Sequence, residues 1–217
     1  MIAFNTIANT RRYSIHHAAA RHFAQRAVVA TGLALASGAA LAHPGHEAAD
    51  PMLLTGLLHP LTGLDHLLAM LAVGLWAATG TADRRAALAT PLSFLALMFL
   101  GALLGMAVES VPAVEPMIIA SLLVFGLLLA GRIPAAARVA PVLAGGFALF
   151  HGIAHGHELM PGGSAAAYVV GFMLSSACLL MAGLTLGWRV RGGTPWLARL
   201  AGVGIAGYGV AVLSVVA

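Results

Sequence analysis

Gly56-Leu57-Leu58-His59-Pro60-Leu61-Thr62-Gly63-Leu64-Asp65-His66-Leu67-Leu68-Ala69-Met70 is an apolar stretch carrying two imidazoles and one carboxylate, with Pro60 and Gly63 set among them. The apolar run that holds it, residues 52–78, is long enough to cross a bilayer as a helix. An Asp at the centre of such a helix costs about 2.5–3.5 kcal/mol on insertion scales. Only 8% of this chain is charged, so a carboxylate in that position points to a use for it. A second apolar stretch, Phe150-His151-Gly152-Ile153-Ala154-His155-Gly156-His157-Glu158, carries the same residue types. Imidazole and carboxylate together suit borderline divalent transition metals. The two stretches read as one metal site inside a membrane.

The rest of the composition agrees with a membrane chain. It is 60% hydrophobic with mean hydropathy +0.95, and apolar spans fall at residues 52–78, 85–108, 114–131, 139–157, 164–188 and 198–217. The expected fold is an all-α membrane protein: a six-transmembrane-helix bundle after an N-terminal signal peptide, its first helix broken near Pro60 and Gly63. The 26 glycines suit helices that pack closely through small residues. Gly152 and Gly156, four apart, are expected to permit such contact instead of touching metal. The lone Cys178 excludes an intrachain disulfide and a Cys-based zinc motif, and is read as a small buried packing residue. A pI near 10.2 does not signal nucleic acid here, because every basic residue is an Arg and the arginines outside the leader sit in short loops between spans.

The leader has its own logic. Arg11, Arg12, Arg21 and Arg26 precede an apolar region at residues 27–41, and Ala40-Leu41-Ala42 forms an A-x-A cleavage site. Residues 1–42 are therefore expected to be a signal peptide. Its removal leaves residues 43–51 as a periplasmic tail opening His43-Pro44-Gly45-His46-Glu47. The freed amine, His43, His46 and Glu47 make a small cation-catching group. Pro44 has no amide N–H, which excludes a square-planar chelate built on successive deprotonated amides. A solvated tail without metal is the competing reading.

Seven arginines follow the leader: Arg84, Arg85, Arg132, Arg138, Arg189, Arg191 and Arg199. All occupy alternate loops, while Glu109, Glu115 and Glu158 mark the others. The positive-inside rule places the Arg loops in the cytoplasm. The expectation is a multi-pass protein of the bacterial inner membrane, with residues 52–217 as the permease domain and both mature termini periplasmic.

On a regular helix His59 and His66 share a face about 10 Å apart along the axis, too far to bind one ion. Proline interrupts the hydrogen-bond ladder and glycine accepts the bend, so His59 is expected to fold back toward Asp65 and His66. His151, His155 and Glu158, at i, i+4 and i+7, form one stripe, and His157 points elsewhere. The candidate ligands are His59, Asp65, His66, His151, His155, Glu158, His43 and His46, with His157, Glu47 and Met70 as weaker candidates. Met70, one turn below His66, is a soft donor whose competing role is core packing. The expected path runs from the tail to the fourth-span stripe, then deeper to His59, Asp65 and His66. One histidine in an apolar helix is usually a hydrogen-bonded packing residue. Here five histidines and two acids crowd into two segments, while the cores of the other spans hold no His and no charged residue.

Both motifs resemble the signatures of the HupE/UreJ family of hydrogenase and urease accessory membrane proteins, and the exported His-Pro-Gly-His start is similar too. The resemblance runs over essentially the whole chain after the leader. It implies a permease supplying nickel or cobalt for hydrogenase or urease maturation. Ni²⁺ or Co²⁺ would then be the transported substrate, with no prosthetic cofactor. The implied partners are a divalent metal ion and the lipid bilayer, without nucleic acid or nucleotide; homo-oligomerisation is left open. The resemblance also gives functional weight to His59, Asp65, His66, His151, His155 and Glu158.

A chain without Lys cannot hold a Walker A loop, so direct ATP hydrolysis is excluded. Two other classes compete with a permease. An intramembrane metal-dependent hydrolase would use three His/Asp ligands to activate water, with Glu158 as base; no H-E-x-x-H is present. A sensor or storage protein would bind metal without moving it.

Overall fold

A computed structural model describes residues 51–159 and 164–216. The expected signal peptide and the tail residues His43, His46 and Glu47 lie outside them. Among the described residues the chain is all-helical, with α1 (Pro51–Thr62), α2 (Leu64–Gly80), α3 (Arg84–Ala107), α4 (Val114–Ala130), α5 (Val139–His157), α6 (Ala165–Gly193) and α7 (Pro195–Val216). α3, α5, α6 and α7 are each long and apolar enough to cross a membrane. The pair α1–α2 makes a fifth candidate span, bent by 74°. α4 is apolar but has 17 residues, about 25 Å at helical rise.

The bend is not at the proline. Pro60 sits in the last turn of α1, the helix ends two residues later at Thr62, and Gly63 takes an extended conformation (φ −79°, ψ 105°) before α2 begins. The break is short because its backbone groups stay paired. Gly63 N–H donates to the His59 carbonyl at 3.1 Å, and the Gly63 carbonyl accepts from Leu67 N–H at 2.9 Å.

α2 is the central element and touches every other helix. Its Ala69, Ala72, Val73, Ala77 and Ala78 are fully buried, since only small side chains admit so many neighbours. Around it the helices pack in pairs: α1 and α2 on α6, α3 on α5, and α4 on α7. Glycine sets the spacing of the α3–α5 pair. A Cβ on Gly101 would overlap the Leu149 carbonyl, and one on Gly152 would overlap that of Met98. The expectation that Gly152 and Gly156 serve close helix contact therefore holds.

Polarity is arranged in reverse of a water-soluble protein. Leu92, Val142 and Leu200 point outward, 63%, 74% and 58% exposed, whereas His151 and His155 are fully buried. An apolar exterior of this kind suits lipid. Cys178, expected to be buried, is exposed; its place on α6 lies off the packed face.

The two ends of the bundle carry opposite charge. At one end Arg191 donates to the Thr81 carbonyl, Arg199 donates to the Ala130 carbonyl at 3.2 Å, and Arg84 lies over the Trp188 ring at 5.3 Å. Asp83 caps α3 there, accepting from Arg85 N–H at 2.9 Å. Glu158 closes α5 at the opposite end, where the His157 ring bonds the Val108 carbonyl at 3.0 Å.

Gly101→Val should cost about 1–3 kcal/mol through overpacking, read as a melting temperature several degrees lower in detergent. Gly146→Ala, where an added Cβ meets nothing within 4 Å, should leave the melting temperature unchanged or slightly higher.

Candidate metal centre

The bend brings residues of both motifs into one column. His59, on the last turn of α1, has its ring centroid 5.9 Å from His66 and 4.9 Å from His155. His66, on the first turn of α2, lies 4.8 Å from His155 and 5.2 Å from His151. The 10 Å rise expected of a straight helix has closed to direct ring contact, as the Pro60/Gly63 pattern anticipated. The motifs interleave, however, instead of forming successive stations. His59 pairs with Glu158 at the outer end of the column, and His66 pairs with His151 further in.

At the outer end, His59 Nε2 and Glu158 Oε2 are 2.7 Å apart, and the same oxygen lies 3.9 Å from His155 Nδ1. One donor atom from each of these three residues lies within 4.8 Å of the others. Donors about 2 Å from a shared ion lie about 3–4 Å apart, so this set needs only a small closure to hold one. His155 has no hydrogen-bond partner on either ring nitrogen, and its ring stacks on Phe172 with centroids 4.6 Å apart. The stacking fixes the plane of the ring and leaves the nitrogens free.

At the inner end two imidazoles are oriented by their Nδ1 atoms. His66 Nδ1 is 3.0 Å from Asp65 Oδ1, and His151 Nδ1 is 2.9 Å from the Phe147 carbonyl. A neutral imidazole that donates through Nδ1 carries its lone pair on Nε2. Both Nε2 atoms are buried and have no protein partner. A second group that bonds one nitrogen and leaves the other to a metal is the usual support of a His ligand. Asp65 is held in turn, accepting His66 N–H at 2.8 Å, at the N-terminus of α2 where the helix dipole favours a carboxylate. Gly63 makes room for this pair, since a Cβ there would come 3.1 Å from Asp65 Oδ1 and 3.4 Å from His66 Nδ1.

Electrostatically the column offers two carboxylates, Asp65 and Glu158, and four imidazoles. Arg84, Arg191 and Arg199 are at the opposite end of the bundle. With neutral imidazoles the charge is −2, which a divalent cation balances and a monovalent cation or an anion does not.

Among the described residues, the candidates His157 and Met70 do not join the column. His157 is exposed and turned to the Val108 carbonyl, beside a surface groove that Glu109 also lines. Met70 is fully buried in the main apolar core with Phe94, Met98 and Phe125, the packing role weighed for it. Two aromatic residues absent from the sequence reading stand against the column: Phe172 under His155, and Tyr168, whose ring is 6.3 Å from that of His59. They are spaced four apart on α6, a periodicity that core packing also produces, so the sequence held no signal to separate them from the core.

A family model described as HupE / UreJ protein matches residues 31–212. "Protein HupE" of Rhizobium leguminosarum bv. viciae is 36% identical over 161 residues, covering 74% of this chain and 83% of that protein. No solved structure matches.

Glu158→Gln and His155→Ala should each weaken Ni²⁺ binding to the purified protein by about tenfold or more, the scale at which even supporting groups of metal sites act. His157→Ala should leave binding unchanged. Isothermal titration in detergent measures all three.

Proposed function

The chain belongs to the HupE/UreJ family, and from that premise we propose that it is a permease moving a divalent transition metal inward across the bacterial inner membrane. Ni²⁺ is the favoured substrate and Co²⁺ the second, delivered for hydrogenase or urease maturation. The observation that carries this reading is the column of four imidazoles, three buried and His59 partly exposed, with two carboxylates, drawn from both motifs and set inside an apolar bundle. A hydrolase needs one closed set of ligands around one water. Here two donor groups follow one another, His59–His155–Glu158 and then His66–His151, so an ion entering at the Glu158 end can pass from one set of ligands to the next.

In this reading α1–α2, α3, α4, α5, α6 and α7 are six membrane spans, with the Arg end cytoplasmic and the Glu158 end periplasmic. Residues 1–42 act as a cleaved signal peptide. His43, His46 and Glu47 in the periplasmic tail, residues 43–51, collect the cation outside. Both termini of the mature chain are then periplasmic. The membrane potential assists entry by about 2.3 kcal/mol per charge per 100 mV. Raw donor affinity would favour copper over nickel, so selectivity rests on how the α1–α2 bend fixes the donors.

The test is accumulation of radiolabelled nickel in uptake-deficient cells producing the chain, beside His66→Ala at equal membrane abundance. The expected outcome is uptake by the parent, competition by cobalt, and loss to background in His66→Ala. Metal bound by the purified protein without uptake in cells would identify a sensor or store and overturn the permease. A protein that neither binds nor accumulates metal would overturn the metal assignment itself.

A further inference from the structure

Among the described residues, six buried side-chain nitrogen or oxygen atoms have no hydrogen-bond partner: His66 Nε2, His151 Nε2, both ring nitrogens of His155, the Tyr168 hydroxyl and the Ser176 hydroxyl. Four of these are in the imidazole column. The other two are on α6, the helix whose Phe172 stacks on His155. Tyr168, Phe172 and Ser176 are spaced four apart, so they lie along one face of α6. Orphaned polar atoms are rare in protein interiors, and here they gather on the column and on the helix face beside it.

Ser176 is the more informative of the two hydroxyls. A serine inside an apolar helix usually donates back to a carbonyl one turn earlier. Ser121 bonds the Ile118 carbonyl at 2.6 Å, Ser175 the Phe172 carbonyl at 3.3 Å, and Ser214 the Ala211 carbonyl at 2.7 Å. Ser176 is fully buried and makes no such bond. Its depth follows from the helix register. Gly171 packs on the backbone of α1 at Leu53 and Leu57, and Gly183 on that of α2 at Leu71. On α6 Ser176 lies between these two contacts and one turn beyond Phe172, a register that sets it level with the α1–α2 break at Gly63.

We propose that the Ser176 hydroxyl is an oxygen donor to the metal ion at the inner His66–His151 pair, making α6 the third wall of the ion path. The assignment rests on the permease reading above. A neutral oxygen beside two imidazoles keeps the inner station weak enough to release its ion and adds no soft ligand to favour copper or cadmium.

Nickel uptake is measured in cells producing the full chain, with Ser176→Ala, Ser176→Cys, Ser175→Ala and His66→Ala at matched membrane abundance. Ser176→Ala should raise the KM for Ni²⁺ roughly three- to tenfold, the scale of losing one neutral donor contact, with little change in maximal rate. Ser176→Cys adds a thiolate donor and should make uptake markedly more sensitive to inhibition by Cd²⁺ and Zn²⁺. Ser175→Ala, whose hydroxyl is already bonded to Phe172, should behave as the parent. An unchanged KM in Ser176→Ala with unchanged metal preference in Ser176→Cys, while His66→Ala abolishes uptake, removes Ser176 from the path and leaves the permease standing. Absence of uptake by the parent chain overturns both. Should Ser176→Ala accumulate poorly, the metal preference of Ser176→Cys decides alone.

Discussion

At Gly63 the chain leaves helical geometry for a single residue and turns by 74°. Everything in the donor column depends on that turn. A straight helix would hold His59 and His66 two turns apart; the bent one sets their rings 5.9 Å from each other and both within 5 Å of His155. The turn is tolerable inside an apolar bundle because it leaves few backbone groups unpaired. Gly63 still donates to His59 and accepts from Leu67, and α6 packs along both halves. Broken helices at membrane depth are common where ions are held in transporters, and for the same reason: they bring side chains together without exposing backbone to lipid.

The second constraint is the cost of polar atoms in a dry interior. An unsatisfied buried donor or acceptor costs about 1–3 kcal/mol, and this bundle leaves four imidazole nitrogens in that condition. Groups of that kind persist when function requires them. The Nδ1 atoms of His66 and His151 are fastened to Asp65 and to Phe147, which points the opposite nitrogens into the column in advance of any ligand. Such preorganisation lowers the ordering cost of binding. Separation of charge supports it: the carboxylates sit with the imidazoles, and the arginines cluster at the other end, tied to Thr81 and Ala130.

Much of this was legible in the sequence, for identifiable reasons. Helical periodicity alone puts His151, His155 and Glu158 on one stripe, and the Pro60/Gly63 interruption foretold that His59 would fold back. The position of the break was less legible, because Pro60 is tolerated in the last turn of α1 and the yielding residue is Gly63. Interleaving of the two motifs could not be read, since nothing local to α1 says that its last turn meets Glu158 at the end of α5. Tyr168, Phe172 and Ser176 were invisible for a different reason: aromatic and serine residues spaced four apart in an apolar helix look the same whether they line an ion path or fill a core. Cys178 shows the converse, an apolar context in sequence that proved to be an exposed face.

Whether the bend gathers both motifs onto one ion is measured by the X-ray absorption spectrum of Ni²⁺ bound to the purified protein, compared with His59→Ala. Scattering from imidazole ligands is expected in the parent and fewer imidazoles in the variant, because the bend at Gly63 delivers His59 to the same ion as His155. A nickel shell of oxygen donors without imidazole, or one that His59→Ala leaves unaltered, would contradict this expectation.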